Sequence, residues 1–172
     1  MVQAFTILRK KYLWSAELYL AGAKESDIRD ALRERQIRVE EVDWQKIHLL
    51  GDLGSEKLTD YYNLCDVFCM PSYFEAYGLV FAEALTYGLP CIGRDKFAMS
   101  EFIEDGCTGR LISGEDAEEL ALDLWEVLQD PKYREEVERR REWYLREYSW
   151  DKVAQRICSV MEKNERDKDQ YR

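Results

Sequence analysis

Two glutamates eight positions apart, Glu75 and Glu83, flank a glycine, Gly78, in the segment PSYFEAYGLVFAEALTYGLP over residues 71–90. Glu75, Ala76, Tyr77 and Gly78 read as a loop, and an apolar run starts at Leu79. A glycine where a helix opens lets the backbone approach a ligand closely. The first turn of that helix presents free N–H groups and the positive end of the helix dipole, a setting suited to a diphosphate. That end contributes only ~0.3–1 kcal/mol per charge at exposed sites, so other groups must share the binding. Glu83 is the only charged residue between Ala76 and Arg94, set among Leu79, Val80, Phe81, Ala82, Ala84 and Leu85. A carboxylate on such a helix needs a partner, because burying it unpaired is costly. It lies about one turn into the helix, where it can accept two hydrogen bonds from a vicinal diol such as a ribose, each worth ~1.5–3 kcal/mol. Glu75 sits at the loop mouth, where the group beyond the diphosphate would lie, and can orient sugar hydroxyls. Two plainer roles stay open at this level. Glu83 can reach solvent or pair with a Lys or Arg from elsewhere, and Glu75 can be an ordinary loop acid.

The surrounding pattern predicts the elements that hold this segment. Val2, Phe5, Leu8 and Tyr12 form one stripe of a helix over residues 2–12. A strand over residues 16–21 ends at Gly22, and Ser26 is placed to cap the next helix. A second strand over residues 46–50 precedes a helix carrying Leu58, Tyr61, Tyr62 and Cys65. A short strand over residues 66–70 stops at Pro71, and a helix over residues 78–87 stops at Gly88 and Pro90. Cys91-Ile92 and residues 110–112 read as strands, with a brief helix over residues 99–103 between them. Three helices follow. The first carries a capping-box pattern, Asp116 and Glu119, before Leu120, Leu124, Val127 and Leu128. The second starts at Asp130-Pro131, and the third starts at Ser149. Short apolar strands alternating with helices imply a parallel sheet covered on both faces. The fold class is therefore α/β, a doubly wound parallel sheet with C-terminal helices. Such sheets bind ligands beyond the carboxyl ends of their strands, where the strand order reverses. The loop holding Glu75 is in that position.

Length and charge bound the alternatives. The 172 residues, 46% hydrophobic and 35% charged, suit one domain, taken as residues 1–163 with a charged tail over residues 164–172. A net charge of −10 argues against nucleic acid or an anionic lipid surface as main partner. The five cysteines form no CxxC pair and His48 is the only histidine, too little for a Cys/His zinc site. The cysteines read as small buried hydrophobes in a reducing compartment. No apolar run approaches the ~20 residues that span a bilayer, and no signal peptide is expected at Met1. A soluble, cytoplasmic protein follows as the expectation. His48 reads as a strand histidine. Trp125, Trp143 and Trp150 read as packing residues, and the charged run over residues 132–146 as a solvated helix face. Tyr133, Val137, Tyr144 and Leu145 within it are apolar enough to dock something.

SYFEAYGLVFAEALTYGLP closely resembles the E-x7-E segment of glycosyltransferase family 4, the "glycosyl transferases group 1" family of GT-B type. Glu75 and Glu83 match its two glutamates. LTDYYNLCDVFCMPS, IEDGCTGRLIS, DAEELALDLWEVLQDP, YSWDKVAQRI and AFTILRKKYLWSAELYLAG resemble the segments around it, in order. The resemblance implies the C-terminal, donor-binding Rossmann-like half of a retaining GT-B glycosyltransferase. It implies that Glu75 contacts the transferred sugar, that the backbone at Ala76, Tyr77, Gly78 and Leu79 holds the diphosphate, and that Glu83 grips the ribose. A nucleotide-sugar would be the donor substrate, with no metal or other cofactor, and an acceptor-binding domain or subunit would be the partner. The rival readings are a non-catalytic nucleotide-binding module or degenerate remnant, and a receiver of flavodoxin-like topology. Gly22-Ala23 and Gly51-Asp52 do not supply the acidic cluster that a receiver needs.

The chain departs from the family pattern in three places. A strand followed by an Arg and a Lys is expected just before the Val2 helix. A whole N-terminal domain is expected before that. Without the first strand, the strands at Ala16 and Asp66 lose their common neighbour in the order 3-2-1-4-5-6, and their backbone groups need other partners. Three outcomes are expected: a fragment of a larger gene, a strand borrowed from another subunit, or direct closure of those two strands. The third departure is KFAMSE over residues 96–101, which stands where a glycine-rich turn is common; Glu101 there is expected to cap the following short helix.

Overall fold

The computed structural model describes residues 1–169, with side chains through Met161. Its elements run α1 (Val2–Lys11), β1 (Leu18–Ala21), α2 (Glu25–Glu34), β2 (Ile47–Gly51), α3 (Ser55–Leu64), β3 (Phe68–Cys69) and α4 (Leu79–Thr86). Then follow β4 (Cys91–Arg94), α5 (Met99–Phe102), β5 (Gly109–Ile112), α6 (Ala117–Gln129), α7 (Lys132–Glu147) and α8 (Trp150–Asp169). The α/β alternation is as the pattern predicts, and every strand pair is parallel.

The strands form two separate sheets, β1-β2 and β3-β4-β5. Leu18 stands opposite Ile47 in the first; Phe68 stands opposite Cys91, and Cys91 opposite Gly109, in the second. β1 and β3 do not pair, so direct closure of the two strands is ruled out. β3 is correspondingly short, because only one of its edges finds a partner.

Helices hold the two sheets together. α1 buries Ala4 and Leu8 against Ile92, Ile112 and the α6 residues Leu120 and Leu124. One stripe further round, Val2 and Phe5 pack with Leu32, Val39 and Ile47 on the β1-β2 side. On the opposite face of the larger sheet, α4 buries Phe81, Ala84 and Leu85 against Met99, Ile103 and the α7 residues Val137 and Tyr144. Burying one such side chain completely contributes about 1.5–3 kcal/mol. Tyr133, Val137 and Tyr144 thus dock on the chain's own core. The rest of α7 is a solvated face threaded with ion pairs, including Arg134–Asp66 at 3.1 Å and Arg139–Glu136.

Local chemistry sets the helix ends, with some departures from expectation. Asp116 accepts the Glu118 N–H at 2.9 Å and starts α6. Asp130 accepts the Lys132 N–H at 3.1 Å, with Pro131 just before the first residue of α7. Ser149 caps α8 by accepting the Lys152 N–H at 3.2 Å. Ser26 is not a cap: α2 begins one residue earlier, at Glu25, and the Ser26 hydroxyl bonds Asp27 instead. Glu25 and Asp27 in the first turn favour that earlier start by complementing the helix dipole. Glu101 is not a cap either; it is exposed inside α5, which follows Ala98. His48 lies in β2, stacked on Tyr19 at 4.6 Å and bonded to Glu17 at 2.9 Å. Trp125 stacks on Tyr12 at 5.9 Å, whereas Trp150 is 87% exposed. The backbone of α8 runs across the expected tail boundary at residue 164, whose side chains, with residues 170–172, lie outside the described residues.

Candidate functional site

The loop over residues 71–78 leaves β3 at its carboxyl end and turns into α4. Gly78 makes the turn with φ +83°, a left-handed conformation. A Cβ there would lie 3.0 Å from Phe81 Cδ2 and 3.3 Å from Glu75 Cγ, so the position suits glycine alone. Glu75 Oε1 accepts the Gly78 N–H at 3.1 Å, which folds the half-buried acid back over the start of the helix. Phe81 N–H bonds the Gly78 carbonyl at 2.9 Å. Among the described residues, the Leu79 and Val80 N–H groups have no partner, the ordinary state of a helix start open to an anion.

Leu79, 59% exposed, and Glu83, also exposed, share the open stripe of α4. The apolar surroundings of Glu83 in the sequence suggested burial. Instead the helix turns Phe81, Ala82, Ala84 and Leu85 inward and leaves Glu83 at the surface. Glu83 has no Lys or Arg partner among the described residues. Its Oε2 accepts the Tyr62 hydroxyl at 3.2 Å. Burial, and then the Glu83 charge, raise the Tyr62 pKa, so Tyr62 stays a proton donor. Tyr62 is itself fixed by stacking on Tyr87 at 5.2 Å, and the Tyr87 hydroxyl meets Thr59 Oγ1 at 3.1 Å. Helix α3 therefore positions Glu83. Ala76 and Tyr77 are exposed, with Tyr77 edge-on to Phe102 at 5.3 Å. The structure thus joins Glu75 to Gly78 directly and sets Glu83 one turn further along the same helix, held by a different element.

Sequence reasoning missed two arginines. Arg94 ends β4, is 5% exposed, and its Nε has no hydrogen-bond partner. Its Nη1 donates to the Gly114 carbonyl at 2.6 Å, and its guanidinium lies 4.4 Å from the Tyr73 ring of the same loop. Arg35 donates to the Tyr73 hydroxyl at 3.2 Å. The available signal was a cation closing an apolar strand at the ligand-binding edge of a doubly wound sheet. Phe97, in the segment that replaces a glycine-rich turn, takes φ +57° and stacks edge-on to Phe74 at 5.5 Å. A bulky residue thus occupies a left-handed turn beside this loop.

The family described as "Glycosyl transferases group 1" matches residues 1–144. A D-inositol 3-phosphate glycosyltransferase of Kribbella flavida is 32% identical over 98 residues, covering 57% of this chain and 23% of that protein. An uncharacterised glycosyltransferase of Methanocaldococcus jannaschii is 28% identical over 149 residues, covering 85% of this chain and 37% of its own length. The chain therefore spans between about a quarter and a little over a third of these relatives. Among solved structures, the pneumococcal O-GlcNAc transferase GtfA, in complex with UDP and GlcNAc, aligns with TM-score 0.69 and 25% identity over 93% of this chain and 32% of that one. Anabaena HepE, in complex with UDP and glucose, aligns with TM-score 0.75 and 18% identity over 94% of this chain and 44% of that one, a likeness of fold. Among the described residues, no helix is long and apolar enough to cross a membrane.

Proposed function

The chain belongs to the glycosyl transferases group 1 family, and from that premise we propose that it is the donor half of a retaining glycosyltransferase, binding a nucleotide-sugar for transfer to an acceptor hydroxyl. The observation that carries this is the first turn of α4, where two unpaired N–H groups lie between two acids held in different ways. The Leu79 N–H and the loop backbone at Ala76, Tyr77 and Gly78 receive the diphosphate. Glu83, oriented by Tyr62, accepts the two ribose hydroxyls. Glu75, at the loop mouth, orients the sugar. Arg94 and Arg35 supply positive charge beside Tyr73 of the same loop, where electrostatic stabilisation of a departing diphosphate has most effect. No metal is needed for that role. The acceptor site belongs to a second domain or subunit, and the isolated chain binds donor without turning it over. Its five free cysteines suit a reducing compartment such as the cytoplasm.

The test is calorimetry of the chain against UDP-, GDP- and ADP-sugars. One nucleotide class should bind. Glu83→Ala should weaken it about 30-fold, the loss of roughly 2 kcal/mol of charged hydrogen bonding. No binding of any nucleotide would leave the alternative, a non-catalytic remnant of the family.

A further inference from the structure

Among the described residues, two that are not glycine take a left-handed backbone: Gln36 at φ +56° and Phe97 at φ +57°. Gln36 follows the last turn of α2, where the Ile37 N–H reaches back to the Leu32 carbonyl at 2.9 Å. A left-handed residue there is an ordinary way to end a helix. Phe97 ends no helix. It lies between β4 and α5, in the segment that stands where a glycine-rich turn is common. A bulky residue in that conformation is strained, and strain persists only where something offsets it. Burial is not the offset. The Phe97 side chain is 53% exposed and joins none of the buried clusters, whereas the next two residues, Ala98 and Met99, are buried. Its ring meets that of Phe74, itself 75% exposed, at 5.5 Å between centroids and 69° between planes. An edge-on pair of this kind leaves aromatic face uncovered.

The pair stands at the mouth of the candidate site. β3 and β4 are parallel neighbours, so the loops over residues 71–78 and 95–98 leave adjacent carboxyl ends. Consecutive residues of the first loop dock on the end of β4 and the turn after it: Tyr73 on Arg94 at 4.4 Å, then Phe74 on Phe97. Glu75 follows directly. We propose, resting on the donor-half reading, that Phe97 and Phe74 are specificity-determining residues: an aromatic wall that stacks on the C–H face of the transferred sugar, a pyranose. The two kinds of contact divide one sugar between them. Ring C–H groups carry slight positive charge and meet the negative face of an aromatic ring, while Glu75 takes hydroxyls at the rim. Apolar and aromatic lining with a few placed polar groups is the usual make-up of a small-molecule site. The diphosphate and ribose contacts lie further along, at the Leu79 N–H and at Glu83, so the wall acts on the sugar and not on the nucleotide. A merely structural Phe97, anchoring the loop through Phe74, would affect both.

Calorimetry separates these roles by comparing each free diphosphate with its sugar: UDP with UDP-glucose, UDP-galactose and UDP-N-acetylglucosamine, GDP with GDP-mannose, and ADP with ADP-glucose. For the sugar-nucleotide that binds, Phe97→Gly, Phe97→Leu and Phe74→Leu should each weaken affinity about fivefold or more and leave the free diphosphate within about twofold. Phe97→Tyr keeps the ring and should bind as the parent chain does. Phe97→Gly should melt no lower than the parent, because glycine takes the left-handed turn freely. Equal weakening of diphosphate and sugar-nucleotide would overturn the proposal, leaving Phe97 a loop anchor. So would full sugar-nucleotide affinity in Phe97→Leu, or a lower melting temperature in Phe97→Gly, which would mean that packing offsets the strain. If diphosphates bind through Glu83 and the Phe97 and Phe74 variants change nothing, the wall fails and the donor-half reading stands. If no diphosphate or sugar-nucleotide binds, both fall.

Discussion

The β3-β4-β5 sheet and the β1-β2 sheet contain strands of similar sequence character but differ in how fully they are packed. β4 is buried at all four residues and pairs on both edges, whereas β1 has no fully buried residue and pairs on one. The candidate donor site belongs to the first region, where α4 rests on Phe81 and Leu85 sealed beneath it. The β1-β2 region is attached mainly through Val2 and Phe5 of α1. The comparison teaches that a rigid floor lies under the loop of Glu75 and Gly78, while the neighbouring sheet has an edge and a face still open. Local stability should follow the same division.

Matched glycine substitutions test that division most severely. A Cβ on Gly109 would fall 1.8 Å from the Cys91 carbonyl oxygen across the β4–β5 pair, whereas one on Gly22, after β1, meets nothing within 4 Å. Gly109→Ala should cost about 3 kcal/mol or more, because backbone must move in a packed region. Gly22→Ala, at φ +73°, should cost only the ~1–2 kcal/mol of a left-handed conformation. Urea unfolding midpoints check both, and equal losses would break the contrast. Gly78→Ala sharpens it. Its left-handed φ and the 3.0 Å approach of Phe81 should cost about 2 kcal/mol, and the reshaped turn should lower nucleotide affinity more than stability, as calorimetry on the folded variant would reveal.

The smallest effect expected is in the β1-β2 region. Hydrogen bonds from Lys46 and His48 hold the Glu17 carboxyl at about 2, below its ordinary 4.5. A depressed folded-state pKa contributes stability that is present above the ordinary value and lost as pH falls through the folded one. The acid limb of chain stability between those values should therefore flatten slightly in Glu17→Gln, read as melting temperature against pH. The group is exposed, so solvent screens the effect.

The spacing of Glu75, Gly78 and Glu83, the parallel α/β alternation and the helix starts at Asp116 and Ser149 were legible because each depends on neighbours in the chain. The partner of Glu83 was not, since Tyr62 lies on another helix and reaches it only after α3 and α4 pack. Burial of Arg94 beside Tyr73 was equally hidden, as no local pattern reports what covers a strand end. The exposure of Glu83 shows the same limit, because an apolar neighbourhood in sequence does not say which stripe of a helix faces the core.

Sequence by itself determined which segments become strands and helices, and where a glycine turn meets a helix start. The family resemblance, rather than any local pattern, implied that β1 and β3 share no strand neighbour among the described residues. Only the tertiary structure decided how that lack is resolved: helices on both faces hold the two sheets apart rather than letting their edges meet. The physical reason is that strand formation is written in local periodicity and turn chemistry, while the distance between two strands is set by the side chains of α1, α3 and α6 packed above and below them.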